Sequence, residues 1–385
     1  KEGKSHLVCD PWIGEAEQTA TVSFPIHEKG VKFLNNLKPD FIYISHLHCD
    51  HLDPKTLKGF NNKNIKILIK KFKIPLLKKQ IERLGFKNIF ECEAWKKYKL
   101  NSDISFAIIP QMASNKRGIE EQINFDLDTS IVIQSNKTKD VLYNGVDNPL
   151  TTKNFKTLKK FINKKFNKKI AITVLQDGAP GEYPPFFLNI NRKKAKKKLI
   201  NESLNTLKKN INILKPEVYF SSLPGAIISG KFSSLNKFAA KPTTQDVTDC
   251  LKKLKTKVIN IDGGGSAIKN KNSDWKIKKG PNYFDRNKII KKYSLKKYFY
   301  ELDKSKINSS QMDDMFSKSS STYFKKLKAF PIRTSWNLEF MVYKNIFLNK
   351  NDQINFKVSK FVKKYSISYN KFKSKKNFSK LICHI

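Results

Sequence analysis

The chain has 385 residues, 39% of them hydrophobic with 28 Phe and 13 Tyr, which is enough to build one large α/β domain or two modest ones and excludes disorder throughout. No uncharged apolar run reaches about 18 residues, and the N-terminus lacks the basic, apolar and small-residue order of a secretory signal, so neither a membrane span nor a secreted protein is read here. The formal charge of +43 would attract phosphate-bearing partners. Only Arg83, Arg117, Arg192, Arg286 and Arg333 are arginines, however, and Lys dispersed among Asn and Ile is the bias of an AT-rich genome. A nucleic-acid surface gathers Arg and aromatics into a patch, because guanidinium forks onto phosphate and stacks on bases, so a nucleic-acid partner is disfavoured.

From Pro39 to about Val258, β-rich runs alternate with helical stretches. Phe41 to Ser45, Ile65 to Ile69, Ile104 to Ile109, Ser130 to Gln134, Val141 to Tyr143, Ile170 to Leu175 and Val218 to Ser221 read as strands, several nearly continuous in apolar residues and hence covered on both faces. Ile74 to Gly85 has Pro75 near its start, Leu77, Ile81 and Leu84 at helical spacing and Gly85 as a stop, and Lys196 to Asn210 is a second amphipathic candidate. The basic run Lys193 to Lys198 reads as a solvated helix face. After about Asn270 the signal weakens to Lys-rich segments, the polar stretch Ser305 to Ser321 and apolar clusters at Trp336 to Tyr343 and Ile346 to Leu348, which predict a less regular α+β region.

The five cysteines, Cys9, Cys49, Cys92, Cys250 and Cys383, are scattered with no Cys-x-x-Cys pair, which speaks against a zinc ribbon or disulfide framework and suits a reducing cytoplasm. The chain opens at Lys1 without Met and closes on apolar Leu381 to Ile385, which reads as a piece of a longer protein.

One segment carries chemistry. A buried strand, Phe41 to Ser45, runs straight into His46, His48, Asp50 and His51, so three of the chain's six histidines and an aspartate fall within six positions. In extended backbone His46 and His48 project to the same side, where two imidazoles can grip one cation. Asp50 and His51, after a turn, can face a second. Imidazole with carboxylate suits Zn²⁺, Fe²⁺ or Mn²⁺, and one ion or a pair would make a nucleophile of water at neutral pH. Alternation puts Cys49 on the opposite side, as packing. The remaining histidines, His6, His27 and His384, are distant, so carboxylates must complete the site. Asp147, after the strand Val141 to Tyr143 and Gly145, and Asp177, directly after Ile170 to Leu175, are the candidates. Asp126 and Asp128 precede another strand.

His46-Leu47-His48-Cys49-Asp50-His51 with Asp147 resembles the metallo-β-lactamase superfamily, which implies an αββα sandwich with a metal site at one edge of two packed sheets. More narrowly, Cys9-Asp10-Pro11-Trp12, Tyr43-Ile44-Ser45-His46-Leu47-His48, Asp128-Thr129-Ser130 and Asn144-Gly145-Val146-Asp147 resemble the CMP-N-acetylneuraminate hydroxylases and their bacterial relatives, over about residues 5 to 235; Leu214 to Tyr219 and a turn at Pro224-Gly225-Ala226 also resemble them. The expected organisation is an α/β metal-binding domain over residues 1–268, with the family's first strand mostly missing, and, where the signal weakens, a less regular α+β extension over residues 269–385. With the likeness, His46, His48, Asp50, His51 and Asp147 are expected as metal ligands and Asp10 as an acceptor bracing a ligand histidine; Asp177 is added from its place after a strand, and the donor types put zinc ahead of iron or manganese. Two departures stand out. No histidine lies between His51 and His384, where superfamily hydrolases add more, and the chain lacks the paired cysteine–histidine motifs of a Rieske cluster.

The leading expectation is a cytoplasmic metal-dependent hydrolase acting on a phosphate- or sugar-containing small molecule, with Asp50 orienting the attacking water or taking its proton. The alternatives are the substrate-binding part of a monooxygenase for a nucleotide-activated sialic-acid-like sugar, needing a separate Rieske protein, a nucleic-acid-binding or nuclease member of the fold, and a scaffold without chemistry. Residues 178–181 and Gly225 to Gly230 are possible backbone walls for a substrate phosphate but read first as turns. Asp262-Gly263-Gly264-Gly265-Ser266 lacks the ending of a phosphate-binding loop and reads as a tight loop.

Overall fold

The structure is a computed structural model that describes residues 1–13, 15–16, 21–24, 30–112, 128–148, 150–166, 170–175, 191–221, 225–259, 265–270, 274–278, 286–295, 308–329, 336–343, 346–347, 357–358, 361–369 and 377–384. The chain divides into two compact units. The first holds Lys1–Lys116, Asn124–Pro185 and Lys193–Tyr298; the second holds Phe299–Ile385 with two short inserted segments.

The first unit begins with β1 (Leu7–Cys9), β2 (Glu15–Ala16), β3 (Thr21–Phe24), α1 (Val31–Asn36), β4 (Phe41–Tyr43), α2 (Pro54–Lys58), β5 (Lys66–Lys70), α3 (Leu76–Arg83) and β6 (Ile89–Cys92). It continues through β7 (Tyr98–Lys99), β8 (Ile104–Pro110), β9 (Thr129–Ser135), β10 (Val141–Asn144), α4 (Thr152–Phe166), β11 (Ile170–Leu175), α5 (Arg192–Leu214) and β12 (Val218–Ser221). Then follow β13 (Gly225–Ile228), a 3-10 helix (Gly230–Phe238), α6 (Thr244–Leu251), β14 (Lys257–Ile259), β15 (Ser266–Lys269), β16 (Trp275–Lys278) and α7 (Arg286–Ser294).

Two sheets face each other. One has four parallel strands in the order β1-β4-β5-β6, and the other has seven in the order β14-β12-β11-β10-β9-β8-β7. In the larger sheet β7 to β10 form an antiparallel meander, and β10, β11, β12 and β14 run parallel.

Three buried clusters define the layers, and strand alternation explains them. Phe41 and Tyr43 of β4 and Leu68 of β5 point at Phe106 and Ile108 of β8 and Ile131 of β9, which fills the space between the sheets. The neighbours Ile42, Ile67 and Ile69 point the other way, onto Leu34, Leu57, Leu77 and Ile81 of α1, α2 and α3. On the far side Ala107, Val132, Val141 and Tyr143 meet Leu158 and Ile162 of α4, Leu207 and Ile211 of α5 and Val247 of α6. The unit is thus an α/β sandwich of four layers, αββα. Several of its strands are nearly continuous in apolar residues because both faces are covered, and each fully buried large side chain is worth about 1.5–3 kcal/mol.

Sequence and structure differ at several points. Leu7–Cys9, ahead of Asp10, is a three-residue strand parallel to β4. Gly225–Ile228 is not a turn: it is a strand that pairs antiparallel with β3, which itself pairs with β2. The strand run ends at Tyr43, and Ile44 and Ser45 lead out of it. Helix α4 escaped the sequence reading although Phe155, Leu158, Ile162 and Phe166 recur at helical spacing and are all buried. Residues 178–181 and 262–264 lie outside the described residues.

The second unit contains α8 (Ser309–Ala329), which takes in much of the polar stretch, and strands β17 (Trp336–Tyr343), β18 (Ile346–Phe347), β19 (Lys357–Val358), β20 (Phe361–Tyr369) and β21 (Asn377–His384). The central strand β17 is antiparallel to β20 and parallel to β21. Among the described residues no helix is long and apolar enough to cross a membrane.

Candidate metal centre

The site lies where strands of both sheets end. β4 delivers Ser45 and His46, and the chain then turns, with the amides of His51 and Leu52 donating to the His48 carbonyl at 3.0 and 2.8 Å. That turn brings three imidazoles together. The ring centroids of His46 and His48 are 4.4 Å apart and those of His46 and His51 are 4.2 Å apart. His46 Nε2 is 2.7 Å from His48 Nδ1, so the two rings do project to one side. Asp53 closes the segment as the N-cap of α2, accepting from the amides of Lys55 and Thr56.

β1 delivers Asp10 in a left-handed conformation, φ 41°, held by its amide donating to the Tyr43 carbonyl at 2.9 Å. Its carboxylate accepts from the Ser45 amide at 2.8 Å, from the Ser45 hydroxyl at 2.7 Å and from His51 Nδ1 at 3.0 Å.

The other sheet supplies two acids. Asp128 stands at the start of β9, with Oδ1 3.4 Å from His46 Nε2. Asp147 follows β10, with Oδ2 3.1 Å from His51 Nε2. The loop leading to Asp147 is tight: Val146 is left-handed at φ 48°, an outlier for a β-branched residue, and its amide donates to Asn144 Oδ1 at 3.1 Å. A Cβ on Gly145 would meet Leu175 Cδ2 at 3.0 Å and the Val174 carbonyl at 3.3 Å, which is why glycine stands there.

Buried hydroxyls tie the two sheets together beneath the site. The Thr129 hydroxyl donates to the Ser45 carbonyl at 2.8 Å, so the Tyr43 hydroxyl, 2.6 Å away, must donate to Thr129. Beside it the Tyr143 hydroxyl and Asn148 Nδ2 both donate to Ser130 Oγ, at 3.1 and 3.0 Å.

The electrostatics sort the imidazoles. Burial, helped by the neighbouring His51 and His48, pushes His46 down to about 3, so its ring is neutral at pH 7. Burial would lower His51 as well, but hydrogen bonds to Asp10 and Asp147 outweigh it and raise the ring to about 11. Burial would raise the Asp147 carboxyl; its hydrogen bond with His51 prevails and holds it below its ordinary value. Cys49 is partly buried, and burial pushes its thiol up, as befits packing.

Among the described residues two groups place ligand atoms within 4.8 Å of one another and could hold a metal ion: His46, His51 and Asp147, and His46, His48 and Asp128. Imidazole nitrogens facing carboxylates are the donor set a divalent transition ion takes once His51 has given up its proton, so the residues fit such an ion. Asp50 belongs to neither group. Its Oδ2 is 3.6 Å from His51 Nε2, and its side chain is 42% exposed at the rim. Asp177 and Asp126 lie outside the described residues. The sequence reading left Asp128 without a role in the site; the signal it carried was an acid directly ahead of a buried strand.

No protein-family model matches the chain. Over 86 residues it is 36% identical to a protein of Mycolicibacterium smegmatis provisionally named a Rieske 2Fe-2S iron-sulfur protein, a match covering 22% of this chain and 16% of that one. Over 154 residues it is 30% identical to the cytidine monophosphate-N-acetylneuraminic acid hydroxylase of Xenopus laevis, covering 38% of this chain and 23% of that one. The matched stretches thus span less than a quarter of these relatives. Among solved structures, the chain is similar to the metallo-beta-lactamase fold protein YhfI from Bacillus subtilis, at 9% identity and a TM-score of 0.37, over 67% of this chain and 95% of that one. The layering described above stands on this chain's own packing.

Proposed function

We propose that this chain is the metal-binding part of a metal-dependent enzyme of hydrolase type, acting on a phosphate- or sugar-containing small molecule. The observation that carries the reading is the meeting of His46, His48 and His51 from one sheet with Asp128 and Asp147 from the other. A divalent cation held there would supply Lewis acidity, polarising a substrate oxygen and making water a nucleophile near neutral pH. The chain's own groups do the rest. His46 is kept neutral by burial and so presents a lone pair, while Asp10 orients His51 through its Nδ1–H. Asp50, whose carboxylate stands 3.6 Å from His51 Nε2 at the rim, would in this reading orient an entering water or take its proton. Zinc, iron and manganese all suit the donor set, and a cytoplasmic setting suits the unpaired cysteines.

Hydrolysis of a chromogenic phosphodiester by the metal-loaded chain tests this reading. Activity should vanish on chelation, return with metal, and fall about 10²–10⁴-fold in Asp50→Asn with metal content unchanged. Metal-loaded protein inert toward phosphodiesters, phosphomonoesters and sugar lactones alike would refute it.

A second reading is favoured by the sequence likeness to a Rieske-named protein and to a sialic-acid hydroxylase. In it the domain holds a nucleotide-activated sugar, and a Rieske protein or module supplies the electrons. A cysteine–histidine Rieske pattern encoded beside this chain, and oxygen consumption only when that module is added, would favour it over hydrolysis.

A further inference from the structure

Two of the helices that cover the larger sheet are almost free of acid. α4 and α5 together hold fourteen bases and one acid, Glu202. Over the whole chain 33 acids stand against 76 bases, so composition explains the abundance of lysine but not the scarcity of acid here. Burial shows how the charge is arranged. Phe155, Leu158, Ile162 and Phe166 of α4 are buried against the sheet, and Lys153, Lys156, Lys160 and Lys164 fall on the opposite side of the helix, all exposed. α5 lies beside α4, joined to it where the Lys159 ammonium donates to the Ile213 carbonyl at 2.6 Å. It adds exposed Lys193, Lys194, Lys197 and Lys198 near its start and Lys208 and Lys209 near its end.

This arrangement works against the helices themselves. Lys156, Lys160 and Lys164 recur every four residues, the spacing at which like charges on a helix repel. Neither helix has an acid in its first turn, where the helix dipole favours one, and α5 has Lys193 and Lys194 there. Among the described residues Lys153, Lys156, Lys160 and Lys164 form no ion pair, whereas around the opposite helix layer Lys78 meets Glu91 at 2.7 Å and Lys71 meets Glu93 at 3.3 Å. An anionic surface laid against α4 and α5 would relieve the repulsion.

We propose that the outer face of α4 and α5 is a docking surface for an anionic membrane leaflet, on which the chain rests without crossing it. The helices run about 22 and 34 Å, so their charge is spread over an extended area. Ammonium groups alone are offered. Arg192, the one arginine of these helices, is buried, as are Phe155 and Phe166, and Phe161 packs on Trp95, which leaves no guanidinium fork or exposed ring to grip a nucleic-acid strand. The exposed large hydrophobics, Ile268, Ile277, Leu295 and Met315, all lie off these helices. Attachment is therefore electrostatic adsorption without insertion, each lysine near the headgroups strengthening it about 5-fold.

Cosedimentation of the full chain with lipid vesicles tests the proposal. At about 0.15 M salt the chain should bind vesicles of phosphatidylcholine containing about one-third phosphatidylserine and leave vesicles of phosphatidylcholine alone unbound. Lys153→Gln, Lys156→Gln, Lys160→Gln and Lys164→Gln together should lower the partition at least about 30-fold. The same charge removed around the opposite helix layer, by Lys32→Gln, Lys58→Gln, Lys73→Gln and Lys79→Gln, should lower it less than about 3-fold, because those exposed lysines lie more than a screening length from the surface. Circular dichroism should be unchanged in both variants; should the α4 variant misfold, Lys156→Glu with Lys160→Glu is read in the same way. Equal losses from the two sets would mark a diffuse field and overturn the proposal, as would absence of binding to the anionic vesicles. Tighter binding of a duplex oligonucleotide than of the vesicles through the same α4 lysines would overturn it in favour of a nucleic-acid surface.

Discussion

Asp10 Oδ2 accepts the His51 Nδ1–H at 3.0 Å and the Ser45 hydroxyl at 2.7 Å, so one carboxylate oxygen orients both ends of the histidine segment. Carboxylates of this kind fix the tautomer of a ligand histidine, and their loss typically costs about 10–100-fold in metal affinity. Asp10→Asn should weaken metal binding by that factor, measured by competition with a chromogenic chelator. The same variant should alter the pH dependence of the metal-free fold. His51 stands at about 11 against an ordinary 6.5, so its protonation stabilises the folded state fully below about pH 6.5, and that contribution disappears as pH rises through about 11. In Asp10→Asn the loss should begin at lower pH in denaturant titrations, and an unchanged profile would count against the pairing.

Metal uptake should release a proton. At pH 7 the metal-free protein holds His51 charged, at about 11, whereas His46, at about 3, is already neutral and Asp147, held below its ordinary value, is already ionised. Ligation through His51 Nε2 requires that ring to give up one proton. Calorimetric titrations in two buffers of different ionisation enthalpy should report about one proton released per metal; none released would mean that His51 is not a ligand.

The Tyr43–Thr129–Ser45 chain joins the sheets beneath the site, and its members are fully buried. Thr129→Val deprives both the Tyr43 hydroxyl and the Ser45 carbonyl of their partner, whereas Tyr43→Phe removes one bond and strands no donor. The first should cost about 2–4 kcal/mol in urea unfolding and the second about 0.5–1.5 kcal/mol. Equal costs would show that the hydroxyl chain does not link the sheets as described.

Gly145→Ala tests the loop that carries Asp147. The added methyl meets Leu175 at 3.0 Å and the Val174 carbonyl at 3.3 Å, and the backbone carbonyl cannot swing aside as a side chain can. A destabilisation of about 1–3 kcal/mol is expected, with weaker metal binding as the loop shifts. Stability and affinity both at the unaltered level would show that the loop has slack.

The sandwich was legible where both faces of a strand are buried. Phe41 to Tyr43, Ile104 to Ile109 and Ile170 to Leu175 are apolar but for Ser105 and Thr173, and each is a strand. The histidine cluster stood out because its spacing is local; Asp147 stood out only beside that cluster, since a lone acid after a strand is more often a turn or helix cap. What escaped was non-local. Nothing in the run around Asp128 shows that β9 ends against β4, and the pairing of Thr21–Phe24 with Gly225–Ile228 joins segments far apart in sequence. Helix α4 was missed for another reason: its Lys-rich face masked four buried apolar positions that the spacing does reveal.

The most direct measurement is metal content by elemental analysis of the purified chain beside His48→Ala, both exposed to Fe²⁺, Mn²⁺ and Zn²⁺ and then dialysed. His48 is exposed, so its loss should leave the fold intact by circular dichroism. The account predicts stoichiometric metal in the unaltered chain and at least about a 10-fold loss of affinity in the variant. Equal retention of metal by both proteins, or none by either, would contradict it.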